Sequence, residues 1–167
     1  QIDIGQGSDS VLAMTVAEIL GIDPADVNLV CADTDTTPID LGAYSSRVTF
    51  MMGNAAIEAA EKLRKKLFAA VVEELQISEG ALLNGTERLH GANGQIVHEV
   101  NGVPTGKSFS FLRAVELAEA KFGQLSSTGS FTPQKLGGPY KGSGVGPTPA
   151  YSYSAAVAIV SVDLETG

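Results

Sequence analysis

The sequence predicts an α+β domain in which helices pack on a mixed or antiparallel sheet. Three segments have apolar residues at helical spacing, and short alternating apolar runs lie between them. Turns rich in Gly and Asn separate these runs. With 44% hydrophobic and 18% charged residues, a chain of 167 residues is long enough to bury a core. We therefore predict a single domain over residues 1–167.

The first third of the chain is predicted to alternate between strand and helix. "QIDIG" is a short strand, and a helix that begins at Ser8 or Ser10 continues to about Leu20. Gly21 is a typical C-terminal stop for that helix. After a turn, the apolar residues 27–32 predict a second strand.

The rest of the chain predicts two more helices and several strands. Apolar residues recur at helical spacing over residues 52–76, which is the longest predicted helix. Residues 80–106 predict strands joined by tight turns, and a helix in "SFSFLRAVELAEAKFG" ends at Gly123. "SSTGSFTP" and "YSYSAAVAIVSVDLETG" are predicted strands. The glycine-rich residues 135–152 predict a long irregular loop.

Charge and composition exclude several classes of function. The formal net charge is -8, and the basic run at residues 62–66 lies among glutamates in the long helix. This pattern is typical of a solvated helix face, so we expect no nucleic-acid partner. No apolar run has transmembrane length, and we expect a cytoplasmic protein without a membrane span. The single cysteine, Cys31, excludes an internal disulfide and is interpreted as a buried structural thiol.

Two glycine-containing turns precede predicted helices and carry many hydrogen-bonding groups. The first turn contains Gly5, Gln6 and Gly7. The second turn contains Ser45, Ser46, Arg47 and Thr49. Because helix N-termini favour anions and arginine pairs with phosphate, the two turns together predict one shared anionic ligand. Ordinary helix capping and a plain strand-to-helix turn are the alternatives. No catalytic triad or metal-ligand spacing is visible.

Three segments, in order along nearly the whole chain, resemble the molybdenum-binding subunit of the xanthine oxidase family. They are "IDIGQGSDSVLAMTVAEILGI", "DTDTTPIDLGAYSSRVTFMMGNAAIEAA" and "PAYSYSAAVAIVSVDLETG". Within the family, "TPIDLGAYSSRVTFMMGNAA" and "KLGGPYKGSGVGPTPAYSYSA" are most similar to the 4-hydroxybenzoyl-CoA reductase branch or to related proteins of the xanthine dehydrogenase type. The resemblance implies a fragment of the molybdenum cofactor-binding region that is inactive when isolated.

The resemblance also implies a molybdenum-dependent oxidoreductase. Its cofactor would be molybdopterin in the cytosine dinucleotide form, with 2Fe–2S clusters and FAD on other subunits or domains. The substrate would be aromatic, heteroaromatic or an acyl-CoA, and it would be hydroxylated, dehydrogenated or reductively dehydroxylated. Partners would be the rest of the molybdenum subunit and the iron–sulfur and flavin subunits or domains. The alternative is a free-standing α+β binding or interaction module without catalysis.

The family's cofactor contacts match residues of both turns. Gln6 with its flanking Gly5 and Gly7 matches the glutamine turn that contacts the pterin. The segment that wraps the pterin and phosphate groups matches Ser45, Ser46, Arg47 and Thr49. Ala43 and Tyr44 match the substrate side of the metal, where Tyr44 is bulkier than the residue of some members. "GVGP" places Pro147 after a turn of the kind that carries the family's glutamate base, but in a different block, so no catalytic or metal-binding residue is assigned.

Overall fold

A computed structural model describes residues 2–40, 42–44, 47–133 and 155–167. The chain divides into two compact units, residues 1–133 and residues 134–167. The first unit contains every helix and strand assigned in the described residues. Its helices pack on an antiparallel sheet, so the predicted α+β class is confirmed. The prediction of one domain over residues 1–167 stays a prediction.

The described residues of the first unit form four α-helices. They are α1 (Ser8–Leu20), α2 (Gly53–Leu75), α3 (Glu79–Leu83) and α4 (Phe111–Phe122). A 3-10 turn, Pro24–Asp26, follows α1, and a π-helical turn, Val48–Met52, leads directly into α2. The three predicted helices are confirmed as α1, α2 and α4. The sequence pattern does not predict α3, because five residues are too few to show a helical period. Within the part of the chain that the structure describes, every helix is too short or too polar to span a membrane.

Three antiparallel strands form the sheet. β1 (Glu87–Ala92), β2 (Gln95–Val100) and β3 (Val103–Ser110) lie in the order β1-β2-β3. The hairpin turns are Asn-Gly pairs with positive φ angles at residues 93–94 and 101–102. Such pairs suit two-residue hairpin turns, because these turns need left-handed backbone at both positions. The predicted strands and tight turns are thereby confirmed from residue 87 to residue 106, whereas residues 80–83, which were included in that prediction, belong to α3.

A buried histidine links the three strands. His98 of β2 is 7% exposed, and its Nε2 lies 2.8 Å from Glu87 Oε2 on β1. Its Nδ1 lies 3.1 Å from Thr105 Oγ1 on β3. His98 also lies where the register between β2 and β3 shifts, between Val97 and Glu99. The side chain therefore has partners on both neighbouring strands at the irregular point of the sheet.

The core lies where α2, α4 and β2 meet. Leu67, Val71 and Ile96 are the largest side chains that are fully buried. Burial of such side chains contributes roughly 1.5–3 kcal/mol each. Ala114 and Ala118 of α4 are 0% exposed, and their small side chains allow α4 to pack closely.

Helix α1 joins the core through a contact between two glycines. A Cβ atom on Gly21, the residue that ends α1, would lie 2.3 Å from the carbonyl carbon of Gly91 on β1. The carbonyl of Gly21 accepts a hydrogen bond from the Gly94 N–H at 2.7 Å. From the other side, Arg64 Nη1 of α2 donates to the Ile19 carbonyl at 3.3 Å. These contacts fix the end of α1 between α2 and the first hairpin.

Three predicted strands do not form in the first unit. Residues 2–5, 27–32 and 126–133 belong to no strand. A strand needs a neighbour that supplies hydrogen bonds to its backbone, and none of the described residues does so for these segments. Apolar side chains on the first two segments are exposed, such as Ile4 at 76% and Val30 at 60%. Residues 126–131, which we call the strap, instead run along α2.

The second unit is described over residues 155–167. The strand predicted over residues 151–167 does not form within residues 155–167, where Ile159 is 96% exposed, and residues 151–154 lie outside the described residues. The segment ends in a turn, in which the Asp163 carboxylate accepts hydrogen bonds from the N–H groups of Glu165 and Thr166, both at 2.9 Å. These bonds, the one from Thr166 first, lower the pKa of Asp163. The predicted loop over residues 135–152 lies outside the described residues.

Candidate functional site

The first turn is organised by the carboxylate of Asp3. Asp3 Oδ1 accepts a hydrogen bond from the Gly5 N–H at 2.8 Å and lies 3.4 Å from the Gly7 nitrogen. Asp3 Oδ2 accepts from the Asp9 N–H, in the first turn of α1, at 3.2 Å. These backbone bonds, the one from Asp9 first, lower the pKa of Asp3 below its ordinary value of 3.8. The N-terminus of α1 therefore already has an anionic group beside it, which the sequence analysis missed.

Gln6 is held within the same turn by both ends of its amide. Its Oε1 accepts from the Ile4 N–H at 2.7 Å, and its Nε2 donates to Ser8 Oγ at 2.9 Å and to the Ile2 carbonyl at 3.3 Å. An amide oxygen can accept two hydrogen bonds, so Oε1 keeps one further acceptor position. A ligand contact through Nε2 would replace one of the existing bonds.

The glycines of the first turn leave open space beside the backbone. Gly5 and Gly7 have φ angles of 99° and 74°, a region that residues with a side chain rarely adopt. A Cβ atom at either position would meet no other atom within 4 Å. A ligand can therefore approach the backbone of this turn, although the Asp3 carboxylate is bonded to its N–H groups.

The second turn places Arg47 directly before the π-helical turn and α2. Its carbonyl accepts from the Met51 N–H at 2.6 Å. Its guanidinium lies over the exposed ring of Tyr44, 5.2 Å from the ring centroid, and Nη1 donates to the Tyr44 hydroxyl at 3.3 Å. Its Nε is buried and has no hydrogen-bond partner in the described parts of the chain. Because a buried donor without a partner costs about 1–3 kcal/mol, this nitrogen is suited to an acceptor from a ligand.

The structure describes some, but not all, of the other residues predicted for the second turn. Ser45 and Ser46 lie outside the described residues. Thr49 is exposed on the π-helical turn, and Ala43 is half-buried. Tyr44 is 56% exposed, so its ring is accessible beside Arg47.

A cavity of about 490 Å³ lies between α1, the π-helical turn and the strap. Arg47 and Met51 line one side, Leu12 of α1 and Cys31 line another, and Phe131 of the strap closes a third. Most of its other walls are apolar. Gly5, Gln6 and Gly7 are not among the described residues that line it. The structure thus brings α1 and the second turn to one cavity, while the predicted residues of the first turn lie outside it.

Cys31 connects that cavity to the start of α1. Its Sγ lies 3.3 Å from Asp9 Oδ2, and this hydrogen bond is the main reason that the pKa of the thiol is raised. A thiol held protonated beside a carboxylate is a poor nucleophile. The interpretation of Cys31 as structural therefore agrees with its surroundings, although the residue is half-buried rather than buried.

The described ranges contain no group of three or more His, Cys, Asp and Glu side chains that could hold a metal ion. Among the predicted site residues, Arg47 is the one with a buried side-chain donor that has no partner in the described residues.

Comparison with known proteins finds one family whose match covers the whole chain. The sequence profile of the molybdopterin cofactor-binding domain family matches residues 1–167. The chain is 32% identical, over 99% of its length, to "Probable hypoxanthine oxidase XdhD" of Escherichia coli (strain K12), of which it covers 15%. It is 29% identical, over 98% of its length, to "Carbon monoxide dehydrogenase large chain" of Afipia carboxidovorans, of which it covers 18%.

A third relative matches a shorter part of the chain. It is "Putative xanthine dehydrogenase molybdenum-binding subunit XdhA" of Escherichia coli (strain K12), which is 41% identical over 40% of this chain and 9% of that subunit. In each of these three comparisons the chain spans less than a fifth of the relative's length.

Proposed function

The chain belongs to the molybdopterin cofactor-binding domain family, and we propose that it contributes cofactor-binding turns to the molybdenum subunit of an oxidoreductase. The family match over residues 1–167 is the observation that carries this proposal. It agrees with the resemblance of the three sequence segments, so the predicted family is confirmed. The relatives are named as an oxidase, a dehydrogenase chain and a molybdenum-binding subunit.

Arg47 is the proposed anion-binding residue. Its buried Nε lacks a partner in the described ranges and would donate to a phosphate or pterin oxygen of molybdopterin. The Arg47 guanidinium carbon lies over the Tyr44 ring, 5.2 Å from its centroid, and this cation–π contact would limit the orientation of the guanidinium. We propose Ser45, Ser46 and Thr49 as further contacts from the same turn.

The first turn is proposed to approach the pterin with its backbone and with Gln6. The open space beside Gly5 and Gly7 supports close approach of a flat ring system. Gln6 would accept a hydrogen bond from the pterin at the remaining acceptor position of Oε1. Alternatively, Nε2 would donate to the pterin in place of one of its present acceptors. Asp3 would orient this turn rather than contact an anionic cofactor, because two negative groups repel each other at close range.

When bound, molybdopterin with its molybdenum supplies the redox chemistry of the proposed enzyme. The residues of this chain would bind and orient the cofactor and shape the substrate side. Ala43 and Tyr44 are the proposed lining of that side, where the accessible ring of Tyr44 would restrict the width of a substrate.

The whole protein's activity is part of the proposal, because the chain spans 15% of one relative and 18% of another. We propose the cytosine dinucleotide form of the cofactor, and 2Fe–2S clusters and FAD on other subunits or domains. The substrate would be aromatic, heteroaromatic or an acyl-CoA, with the 4-hydroxybenzoyl-CoA reductase branch or a related protein of the xanthine dehydrogenase type as the specific candidates. The isolated chain would be inactive, since it has no proposed catalytic residue, and the full protein would be cytoplasmic.

One observation favours the alternative of an α+β binding module without catalysis. The Asp3 carboxylate already accepts the N–H groups of Gly5 and Asp9 at 2.8 and 3.2 Å, as an ordinary cap would. In that alternative, the full-length protein would contain no molybdenum or pterin after purification.

Arg47→Ala in the full-length protein tests the proposal. We expect the affinity for the cofactor to fall by about tenfold or more, and molybdenum and pterin per subunit to fall with it, because loss of a charge-assisted hydrogen bond costs roughly 1.5–3 kcal/mol. The matched control is Arg113→Ala, which removes an exposed arginine paired with Glu116 at 3.0 Å, far along the chain on α4. Metal analysis and pterin fluorescence measure both variants. Wild-type protein without pterin would refute the function, and an Arg47→Ala variant with full occupancy would remove Arg47 from the site.

A further inference from the structure

The strap, residues 126–131, is held in an extended conformation by lysines of α2. Lys66 Nζ donates to the Ser126 carbonyl at 2.9 Å, and Lys62 Nζ donates to the Thr128 carbonyl at 3.0 Å. These lysines belong to the basic run that was expected to be a solvated helix face. They are one helical turn apart, so they meet alternate carbonyls of an extended segment. The charged face of α2 therefore provides the hydrogen bonds that a neighbouring strand would provide.

Small residues bring the strap into close contact with the α2 backbone. A Cβ atom on Gly129 would lie 2.0 Å from the Ala55 carbonyl oxygen and 2.7 Å from the Ala59 nitrogen. Ser127 Oγ donates to the Ala59 carbonyl at 2.8 Å. The φ angle of Gly129 is not in the left-handed region, so glycine is needed here for space and not for conformation.

The end of the strap reaches the π-helical turn that follows Arg47. The Ser130 N–H donates to Glu58 Oε2 at 2.6 Å, and Glu58 is paired with Lys62 at 2.9 Å. The Phe131 ring lies edge-on to the Phe50 ring, with 5.2 Å between the centroids. The strap is therefore anchored at both ends, by lysine to carbonyl bonds at its start and by an aromatic contact at its end.

This aromatic contact has a structural consequence for the proposed binding turn. Single π-helical turns are rare and occur frequently at functional sites. Phe50 lies within that turn, and Arg47 immediately precedes it. Gly129, Ser130 and Phe131 also line the cavity that Arg47 lines.

We propose that the strap is a positioning element for the anion-binding turn, with Gly129 and Lys62 as positioning residues that act on Arg47 through Phe131 and Phe50. The inference rests on the proposed function, since the anion in question is molybdopterin. It assigns a role in cofactor binding to residues that the sequence pattern places in a strand and on a solvated helix face.

The test uses Gly129→Ala in the full-length protein, with Gly80→Ala as the matched control. A Cβ atom on Gly80, within helix α3, would meet nothing within 4 Å. We expect Gly129→Ala to lower molybdenum and pterin content roughly threefold or more, the range for coupled residues in contact, while Gly80→Ala keeps wild-type content. Lys62→Met, which keeps the aliphatic stem and removes the donor, provides a second variant if Gly129→Ala fails to fold.

A double variant separates positioning from general destabilisation. If the strap acts through Arg47, the Gly129→Ala and Arg47→Ala double variant should have the occupancy of Arg47→Ala alone. Hydrogen exchange should also be faster in residues 48–52 of Gly129→Ala and unchanged in the β1–β2 hairpin. Additive losses, or full occupancy in Gly129→Ala and Lys62→Met, would overturn the inference. Wild-type protein without pterin would overturn the proposed function and this inference together.

Discussion

At the scale of single residues, Asp3 determines the geometry of the first turn. Its carboxylate accepts N–H groups at the start of α1, and its pKa is lowered by those bonds. A group whose pKa is lower in the folded state stabilises the fold above its unfolded value of 3.8 and loses that effect as the pH falls through its folded value. The contribution of Asp3 to stability should therefore be complete at neutral pH.

We predict that Asp3→Ala lowers the midpoint of thermal unfolding at pH 7 and that the difference from wild type shrinks below pH 3.8. Asp3→Asn, which keeps one acceptor oxygen without the charge, should have an intermediate midpoint. Calorimetry of the full-length protein at a series of pH values measures both. A difference that does not change with pH would contradict the assignment of the charge as the stabilising feature.

Arg47 and Asp3 show what a sequence pattern reveals about single residues. Arg47 is predicted as an anion contact because its guanidinium can pair with phosphate and it lies beside glycine and hydroxyl residues at a helix start, and this role stays a prediction. The role of Asp3 was missed because polar and apolar residues alternate in its segment. In such a segment, a polar side chain is expected on the polar face of a strand. Its role depends on how the chain turns at Gly5 and Gly7, which the pattern does not give.

At the scale of elements, the contact between α1 and β1 depends on two glycines. A Cβ atom on Gly91 would lie 2.6 Å from the Leu20 carbonyl oxygen and 3.2 Å from the Gly21 Cα. We predict that Gly91→Ala destabilises the protein by about 1–3 kcal/mol, because both neighbouring atoms belong to backbone and cannot rotate away.

Chemical denaturation of the full-length protein measures the effect of Gly91→Ala. The control is again Gly80→Ala, which should be neutral or slightly stabilising because alanine favours a helix over glycine. Equal stability of Gly91→Ala and wild type would show that α1 and β1 can separate without cost.

The local sequence pattern predicted two kinds of element correctly. In a helix the backbone hydrogen bonds lie within the element, and in a hairpin they join strands that are adjacent in the sequence. The helices α1, α2 and α4 and the two hairpins are of these kinds. The segments at residues 2–5, 27–32 and 126–133 have the alternation of strands, but alternation does not supply a partner. In the strap, Lys62 and Lys66 replace that partner, and this arrangement depends on the fold of the whole unit.

At the scale of the whole molecule, the order of sequence blocks identified the family but not the substrate. Relatives named for hypoxanthine, xanthine and carbon monoxide all match the same chain. Sequence identity within this region therefore does not select among substrates. This agrees with the proposal that the region supplies cofactor contacts, and that substrate choice depends on residues elsewhere as well as on Tyr44.

Whether Arg47 and the first turn contact one molybdopterin is tested most directly by an experimental structure of the full-length protein purified with its cofactor. We predict that Arg47 Nε donates to an oxygen of the cofactor and that the Gln6 amide contacts the same molecule. A cofactor bound away from both residues, with Gln6 still bonded only to Ile2, Ile4 and Ser8, would contradict the claim.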